Sequence, residues 1–201
     1  LSRVVPDDAI ILGQTKVGGI VGLNNVLANE FKLNKPFRVY GISEVGGIVG
    51  ATNTSTRELG RAGLYLGADG VDIFIRGKEK VGGVVGYQNY VSDIKITVTN
   101  ITVEAEHDAG GVFGYLRQDF PAGTIFSLEN VALNGVKVRA TRGDEYNYAG
   151  GIVGLIPAGV TINSASFKGS IESKSRYLGE IAEQNNGTIT NCKVNSMSAG
   201  D

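Results

Sequence analysis

The sequence predicts an all-β protein with the architecture of a right-handed parallel β-helix. A glycine-rich hexapeptide recurs along the chain, apolar residues alternate with period two between its copies, and asparagine or glycine follows many of the alternating runs. In such a solenoid, equivalent strands of successive turns pair in parallel, and the connections are overwhelmingly right-handed. We expect about five to six turns, called rungs below, with about three short strands in each.

The recurring hexapeptide sets the organisation of the chain. VGGIVG occurs at residues 17–22 and again, unchanged, at residues 45–50. A period near 28 residues with occasional insertions indicates one structural unit per copy, so the glycine pairs are expected to be structural. The other copies are VGGVVG at 81–86, AGGVFG at 109–114, AGGIVG at 149–154 and the divergent LGEIAE at 178–183. The pairs are Gly18, Gly19, Gly46, Gly47, Gly82, Gly83, Gly110, Gly111, Gly150 and Gly151.

Alternating apolar residues predict the strands between the hexapeptides. The clearest run, residues 94–105, has apolar side chains at every second position on either side of Asn100. Four asparagines are expected at equivalent turns, because asparagine tolerates left-handed backbone geometry. An antiparallel β-sandwich would also explain the strands, but it would not explain why the hexapeptide recurs. The four residues are Asn100, Asn130, Asn163 and Asn191.

The two residues after each glycine pair form two apolar columns. One column is expected inside and the other outside, because adjacent strand residues point to opposite faces unless a bulge intervenes. The sequence leaves open which column faces the core. It also leaves two roles for the glycines, a corner with positive φ or a close approach of a covering segment. The columns are Ile20, Ile48, Val84, Val112, Ile152 and Ile181, and Val21, Val49, Val85, Phe113, Val153 and Ala182.

Composition narrows the functional classes. The 201 residues include 30 glycines and 42 % hydrophobic residues, and the net charge of −1 indicates neither nucleic acid nor an anionic membrane as partner. No apolar run approaches the roughly 20 residues of a transmembrane helix. His107 and Cys192 are the only histidine and cysteine, so no zinc site is expected, and no copy completes a nucleotide-binding glycine motif. We therefore expect no cofactor.

Clustered carboxylates provide the argument for an enzyme, since a polysaccharide-cleaving β-helix needs acidic groups on one face. None of the acidic residues recurs in a recognisable catalytic motif, so a non-catalytic chain is expected and a polysaccharide lyase or glycoside hydrolase is the alternative. A cation site of Glu104, Glu106 and Asp108 is an alternative to a solvated turn around His107. The carboxylates that could fall on neighbouring rungs are Asp69, Asp72, Asp93, Glu104, Glu106, Asp144 and Glu145.

Aromatic residues provide the argument for ligand binding. Tyr87 and Tyr115 follow their hexapeptides directly on consecutive rungs, and exposed aromatics suit contacts with sugars or peptides. The alternative is that these residues cap the ends of the core. A second candidate is the tripeptide Arg142, Gly143 and Asp144, a possible RGD recognition loop in the longest insertion. The candidate ligand-binding tyrosines are Tyr87, Tyr90, Tyr115, Tyr146 and Tyr148.

Cys192 directly follows the turn residue Asn191. It is expected to be a small core residue rather than a nucleophile. Its equivalents in earlier copies are expected to be Ser164, Val131 and Ile101.

The combination of VGGIVG, a GTITNC strand at Gly187–Cys192, a turn and the next GGIVG resembles the GLUG-motif repeat family. The resemblance covers nearly the whole chain, and its closest middle segment is NNGTITNCKV at residues 185–194. It implies a bacterial cell-surface or secreted protein, such as an adhesin or the non-catalytic N-terminal region of an IgA1-specific metalloprotease. No catalytic residues accompany the motif.

The expected domain organisation is a single β-helical domain over residues 1–201, excerpted from a longer protein. Expected partners are a host or matrix protein or a glycan, together with neighbouring domains of the same parent chain. Neither nucleic acid binding nor direct membrane insertion is expected. The chain is thus expected to act in adhesion, as a structural spacer, or as both.

Overall fold

The architecture is given by a computed structural model that describes residues 8–25, 31–53, 63–89, 95–118, 126–143, 148–174 and 178–196. The regular structure of these residues is β-strand. Among them, we find no helix with the length and apolar character needed to cross a membrane.

The strands are short, most of them four residues long. In chain order they are β1 (Ala9–Leu12), β2 (Thr15–Gly18), β3 (Val21–Asn24), β4 (Phe31–Leu33), β5 (Phe37–Tyr40), β6 (Ser43–Gly46), β7 (Val49–Thr52), β8 (Gly63–Leu66), β9 (Ile73–Arg76), β10 (Glu79–Gly82), β11 (Val85–Gln88), β12 (Lys95–Thr99), β13 (Ile101–Ala105), β14 (His107–Gly110), β15 (Phe113–Leu116), β16 (Phe126–Glu129), β17 (Val131–Ala140), β18 (Ala149–Gly150), β19 (Leu155–Ile156), β20 (Val160–Asn163), β21 (Ser166–Ser173), β22 (Gln184–Asn185), β23 (Thr188–Thr190) and β24 (Lys193–Ser196).

All pairings between these strands are parallel and join equivalent positions of successive rungs. In the glycine-pair sheet β2-β6-β10-β14-β18, Val45 pairs with Val17 on one side and Val81 on the other. The adjoining sheet β3-β7-β11-β15 repeats in the same way. The predicted parallel β-helix is confirmed.

Each of the first four hexapeptides is divided between two strands, because the chain bends at its second glycine and the residue after it. The rung built from β8, β9, β10 and β11 therefore has four strands, one more than the sequence pattern suggests. Its first two strands belong to a ten-stranded sheet with two wings. The first wing contains β4, β8, β12, the start of β17 and β21, and β24; the second contains β1, β5, β9, β13 and the ends of β17 and β21.

A column of left-handed residues precedes the glycine pairs. Lys16, Glu44, Lys80 and Asp108 have φ angles of 55°, 57°, 55° and 54°, and each stands two residues before the first glycine of its copy. Non-glycine residues rarely adopt this conformation, since it costs roughly 1–2 kcal/mol. The repeated corner is thus made by ordinary side chains and not by the hexapeptide glycines.

The expected asparagine column is only partly correct. Asn130 and Asn191 do stand at one corner, with φ of 56° and 52°, but their partner on the rung between them is Ser164, with φ of 55°. Asn163 lies one position earlier and pairs with Thr190. Asn100, with φ of 51°, belongs to a different corner, where it faces the position of Gly135. Counting residues from the glycine pair misplaced both because the intervening segments differ in length.

Both apolar columns after the glycine pair are buried, so the expectation that one faces outward is wrong. Ile48, Val84 and Val112 are 0 % exposed, and Val49 and Val85 are 2 % exposed. Ile48 lies in the bend and Val49 begins the next strand, so the period-two rule does not connect them. The end copies are less covered, because Ile20, Val21 and Ala182 are only partly buried.

The hexapeptide glycines allow backbones of neighbouring rungs to meet. A Cβ on Gly46 would lie 2.8 Å from the amide nitrogen of Gly86, and one on Gly86 would overlap the backbone of Glu44 and Val45. The second glycine of a pair is equally restricted, since a Cβ on Gly83 would overlap the carbonyl oxygen of Gly111. The hexapeptide glycines therefore allow close approach, but of the backbones of neighbouring rungs rather than of the covering segment that the sequence suggested.

Candidate functional site

The tyrosine pair predicted as a ligand platform forms a stack within the solenoid. Tyr87 and Tyr115 pair directly on β11 and β15, with ring centroids 5.9 Å apart and ring planes 13° apart. The Nζ of Lys80 lies 5.3 Å from the first centroid and 5.2 Å from the second, within cation–π range of both. Since the rings face each other, a flat ligand cannot stack between them, and both side chains are partly buried.

Tyr148 is the one other candidate tyrosine within the described residues. Tyr90 and Tyr146 lie outside the described residues. Tyr148 lies directly before β18 and is the rung partner of Asp108, because its neighbour Ala149 pairs with Ala109. It therefore occupies the column two residues before the glycine pair rather than the column of Tyr87.

The tripeptide candidate is described only in part. Arg142 and Gly143 are exposed, and Asp144 lies outside the described residues. The Nη1 of Arg142 lies 3.1 Å from the Nε2 of His107 on β14. An arginine can only donate here, so this contact requires an unprotonated Nε2 on the histidine.

A ladder of alternating charge runs along the second wing of the ten-stranded sheet. Arg76 pairs with Glu104 across one rung (Nε–Oε1 3.1 Å), and Arg139 pairs with Glu172 across another (Nε–Oε2 2.9 Å). Strand register places all four residues in one column after Tyr40. Glu104 was a candidate residue from the sequence and its partner was not, although Arg76 is 28 residues away, which is one repeat period.

Two adjoining cavities lie along the corner beside this ladder. One is about 300 Å³ and the other about 240 Å³, and they share Glu104 and Thr141. Their walls combine carboxylates, guanidinium groups, lysines and one tyrosine, so the groove offers hydrogen-bond donors and acceptors to a polar ligand. The first is lined by Tyr40, Gly41, Arg76, Gly77, Lys78, Glu104, Ala105, Glu106 and Thr141, and the second by Glu104, Arg139, Ala140, Thr141, Glu172, Ser173 and Lys174.

The structure describes only some of the remaining predicted carboxylates. Asp69 accepts a hydrogen bond from the Nδ2 of Asn100 at 3.3 Å, whereas Asp93, Asp144 and Glu145 lie outside the described residues. In the part of the chain that the structure describes, no three His, Cys, Asp or Glu residues are grouped closely enough to hold a metal ion. The cation site considered at Glu104, Glu106 and Asp108 is therefore not formed.

Cys192 is partly buried against the core rather than enclosed by it. Its Sγ lies 3.7 Å from the carbonyl oxygen of Ile162 and 3.3 Å from that of Thr190, so the thiol is positioned to donate weakly to the backbone. Strand register aligns it with Ala165 and Val131. Of the equivalents expected from the sequence, only Val131 is correct, because the others were counted from misplaced turns.

No protein-family model, curated protein sequence or solved structure matches the chain in the three comparisons. The resemblance to the GLUG-motif family therefore stays a prediction from the motifs.

Proposed function

We propose that this chain is a non-catalytic β-helical segment of a bacterial cell-surface or secreted protein, where it acts as a rigid spacer and presents binding surfaces. The observation that carries the proposal is the continuous parallel pairing of the rungs. In the glycine-pair sheet, hydrogen-bonded strands run without a break from β2 to β18, and a parallel bridge from Gly150 to Gly179 extends the series.

This geometry favours a spacer because every rung is fixed by its neighbours. Direct backbone bonds such as Ile48 N to Val84 O at 3.0 Å and Val84 N to Val112 O at 3.0 Å tie consecutive bends together. Rotating or bending one rung relative to the next would break several such bonds at once. A stiff rod suits the display of contacts at a distance from an anchor, and the motif resemblance supports a bacterial surface or secreted setting.

The proposal is tested by locating the parent protein and by assaying turnover. Antibodies raised against the chain should label intact bacterial cells or the culture medium. Purified chain should leave the length distribution of polygalacturonate and other polysaccharides unchanged over many hours. Label confined to the cytoplasm would contradict the surface role, and shortening of a polysaccharide would contradict the non-catalytic role.

The groove beside the charged ladder supports the alternative, a polysaccharide-active enzyme. Glu104 and Glu172 stand two rungs apart in one column, roughly 10 Å by strand spacing. Carboxyl groups of inverting glycosidases lie at a comparable separation, about 6.5–9.5 Å. Both carboxylates already bind arginines, which favours the non-catalytic proposal. If turnover is found, loss of it in Glu104→Gln would assign the groove as the active site.

A further inference from the structure

Charge is distributed unevenly over the described surface. The strands of the ten-stranded sheet carry eight lysines and arginines but only two acidic residues, Glu104 and Glu172. The described residues outside this sheet carry seven basic and ten acidic residues. The basic residues of the sheet, all exposed, are Lys32, Arg38, Arg76, Lys95, Lys137, Arg139, Lys168 and Lys193.

Within the described part of the chain, most of these cations have no acidic partner. Arg76 and Arg139 bind the two acidic residues of the sheet. The other six make no ion pair or side-chain hydrogen bond in the described part of the chain. The excess of basic over acidic residues is greatest on the first wing, whose strands contain no acidic residue. Its outer face carries Lys32, Lys95, Lys168 and Lys193.

The four lysines of the first wing extend along the solenoid axis. Lys32 and Lys193 occupy the same register row, five rungs apart, which corresponds to about 24 Å. Lys95 and Lys168 lie on the rungs between them. Several cations along such a face attract an extended polyanion more strongly than a single small anion, because each contact releases condensed counterions.

The uncharged side chains between the lysines favour a sugar polymer. Thr97, Thr99, Asn134 and Asn195 share the outer face, and their hydroxyl and amide groups both donate to and accept from sugar hydroxyls. Single-stranded nucleic acids instead require aromatic side chains for base stacking. The described strands of this wing carry one outward aromatic residue, Tyr65.

We propose that the first wing binds a linear anionic polysaccharide along the solenoid axis, with its sulfate or carboxylate groups held by Lys32, Lys95, Lys168 and Lys193. The proposal deepens the binding part of the proposed function by naming a ligand class. Its test does not depend on the spacer role or the cellular location, because it measures binding of purified polymers.

Binding of the full chain is measured against dextran sulfate and polygalacturonate, with neutral dextran as the uncharged control. Binding to either acidic polymer and not to dextran supports the proposal, and the tighter one identifies sulfate or carboxylate as the preferred group. Affinity should fall steeply with added salt. No binding to either acidic polymer at low salt would overturn the proposal, as would tighter binding to single-stranded oligothymidylate.

Matched variants locate the site. Lys95→Gln and Lys168→Gln should each weaken binding about two- to fivefold, as expected for exposed charge pairs, and the double variant should multiply the losses. Lys16→Gln removes the same charge from an exposed position on the glycine-pair sheet and should bind like the unmodified chain. Equal weakening by all three would show an effect of net charge alone and overturn the assignment. Because the three positions are exposed, unchanged melting temperatures serve as the folding control.

Discussion

At the residue scale, the hexapeptide glycines matter because the backbone of a neighbouring rung fills the space that a side chain would need. Gly83 is enclosed on two sides, because a Cβ there would overlap the carbonyl oxygen of Gly111 and lie 2.5 Å from the Cδ1 of Ile101. Its φ lies outside the left-handed region, so crowding and not backbone conformation decides what it tolerates. Gly70 is the opposite case, with φ of 73° and no atom within 4 Å of an added Cβ.

The two glycines therefore separate crowding from conformational strain. We expect Gly83→Ala to lower the free energy of unfolding by about 2–4 kcal/mol, because a rigid backbone must move. Gly70→Ala should cost about 1 kcal/mol, the penalty for a left-handed alanine. Thermal or urea unfolding of the two variants measures the difference. Equal losses would contradict the assignment of Gly83 to a backbone contact.

At a left-handed corner, substitution by glycine should stabilise the protein, whereas substitution of a hexapeptide glycine should destabilise it. Glu44 has φ of 57° and makes no side-chain hydrogen bond or ion pair within the described chain. Glu44→Gly should raise the free energy of unfolding by up to about 1 kcal/mol, because glycine adopts this conformation without strain. Glu44→Val should lower it by about 1–2 kcal/mol, since a β-branched residue is least tolerated there. Urea unfolding of both variants tests the corner, and the same sign for both would contradict it.

At the element scale, each strand is stabilised by the rungs on either side. Central strands such as β9 and β13 have parallel neighbours on both sides, whereas β1 pairs only with β5 and β24 only with β21 among the described strands. Local opening requires fewer bonds to break where a strand has one neighbour.

Native-state hydrogen exchange should therefore show a gradient along the axis. We expect amides of β9, β10 and β13 to exchange orders of magnitude more slowly than those of β1 and β24, because central amides require a larger opening. Mass spectrometry of peptic fragments measures this gradient. Uniform protection across all strands would show that the rungs open only together.

The sequence predicted the element pattern well where the repeat is strict and poorly where it varies. The hexapeptides align without gaps, so the pairing of Val17 with Val45 follows from the sequence alone. Segments between hexapeptides differ in length, so counting residues missed the corner by one position at Asn163 and assigned Asn100 to the wrong corner. The division of the first four hexapeptides into two strands each was also missed, because Gly-Gly-Ile carries no alternation that marks the bend.

At the scale of the whole molecule, folding separates charges that the sequence mixes. A net charge of −1 hides the basic face, because Lys95, Lys168 and Lys193 are far apart in the chain and come together only through stacking. The surroundings of the tyrosine pair are a second example. Tyr87 and Tyr115 were correctly placed on consecutive rungs, but the sequence could not show that Lys80 covers the pair.

The register also predicts that a complete rung can be removed. Val45 pairs directly with Val81, and Glu44 and Lys80 share the left-handed corner before them. Deleting residues 45–80 should join Glu44 to Val81 without a change of register, so the shortened chain should still fold and unfold in one transition, at a moderately lower temperature. Deleting residues 45–62 removes half of this segment and breaks the register, and that control should not fold. Circular dichroism during heating distinguishes the two, and equal loss of structure would contradict the register.

Because successive hexapeptides make equivalent contacts, the solenoid can lengthen or shorten only in steps of one rung. Each added or deleted copy changes the reach of the rod by one strand spacing, about 4.8 Å, without altering the surfaces at the joint. A flexible linker fixes only an average separation, which grows with the square root of its length. The separation that such a chain can span therefore changes in fixed steps, each encoded by one copy of the repeat.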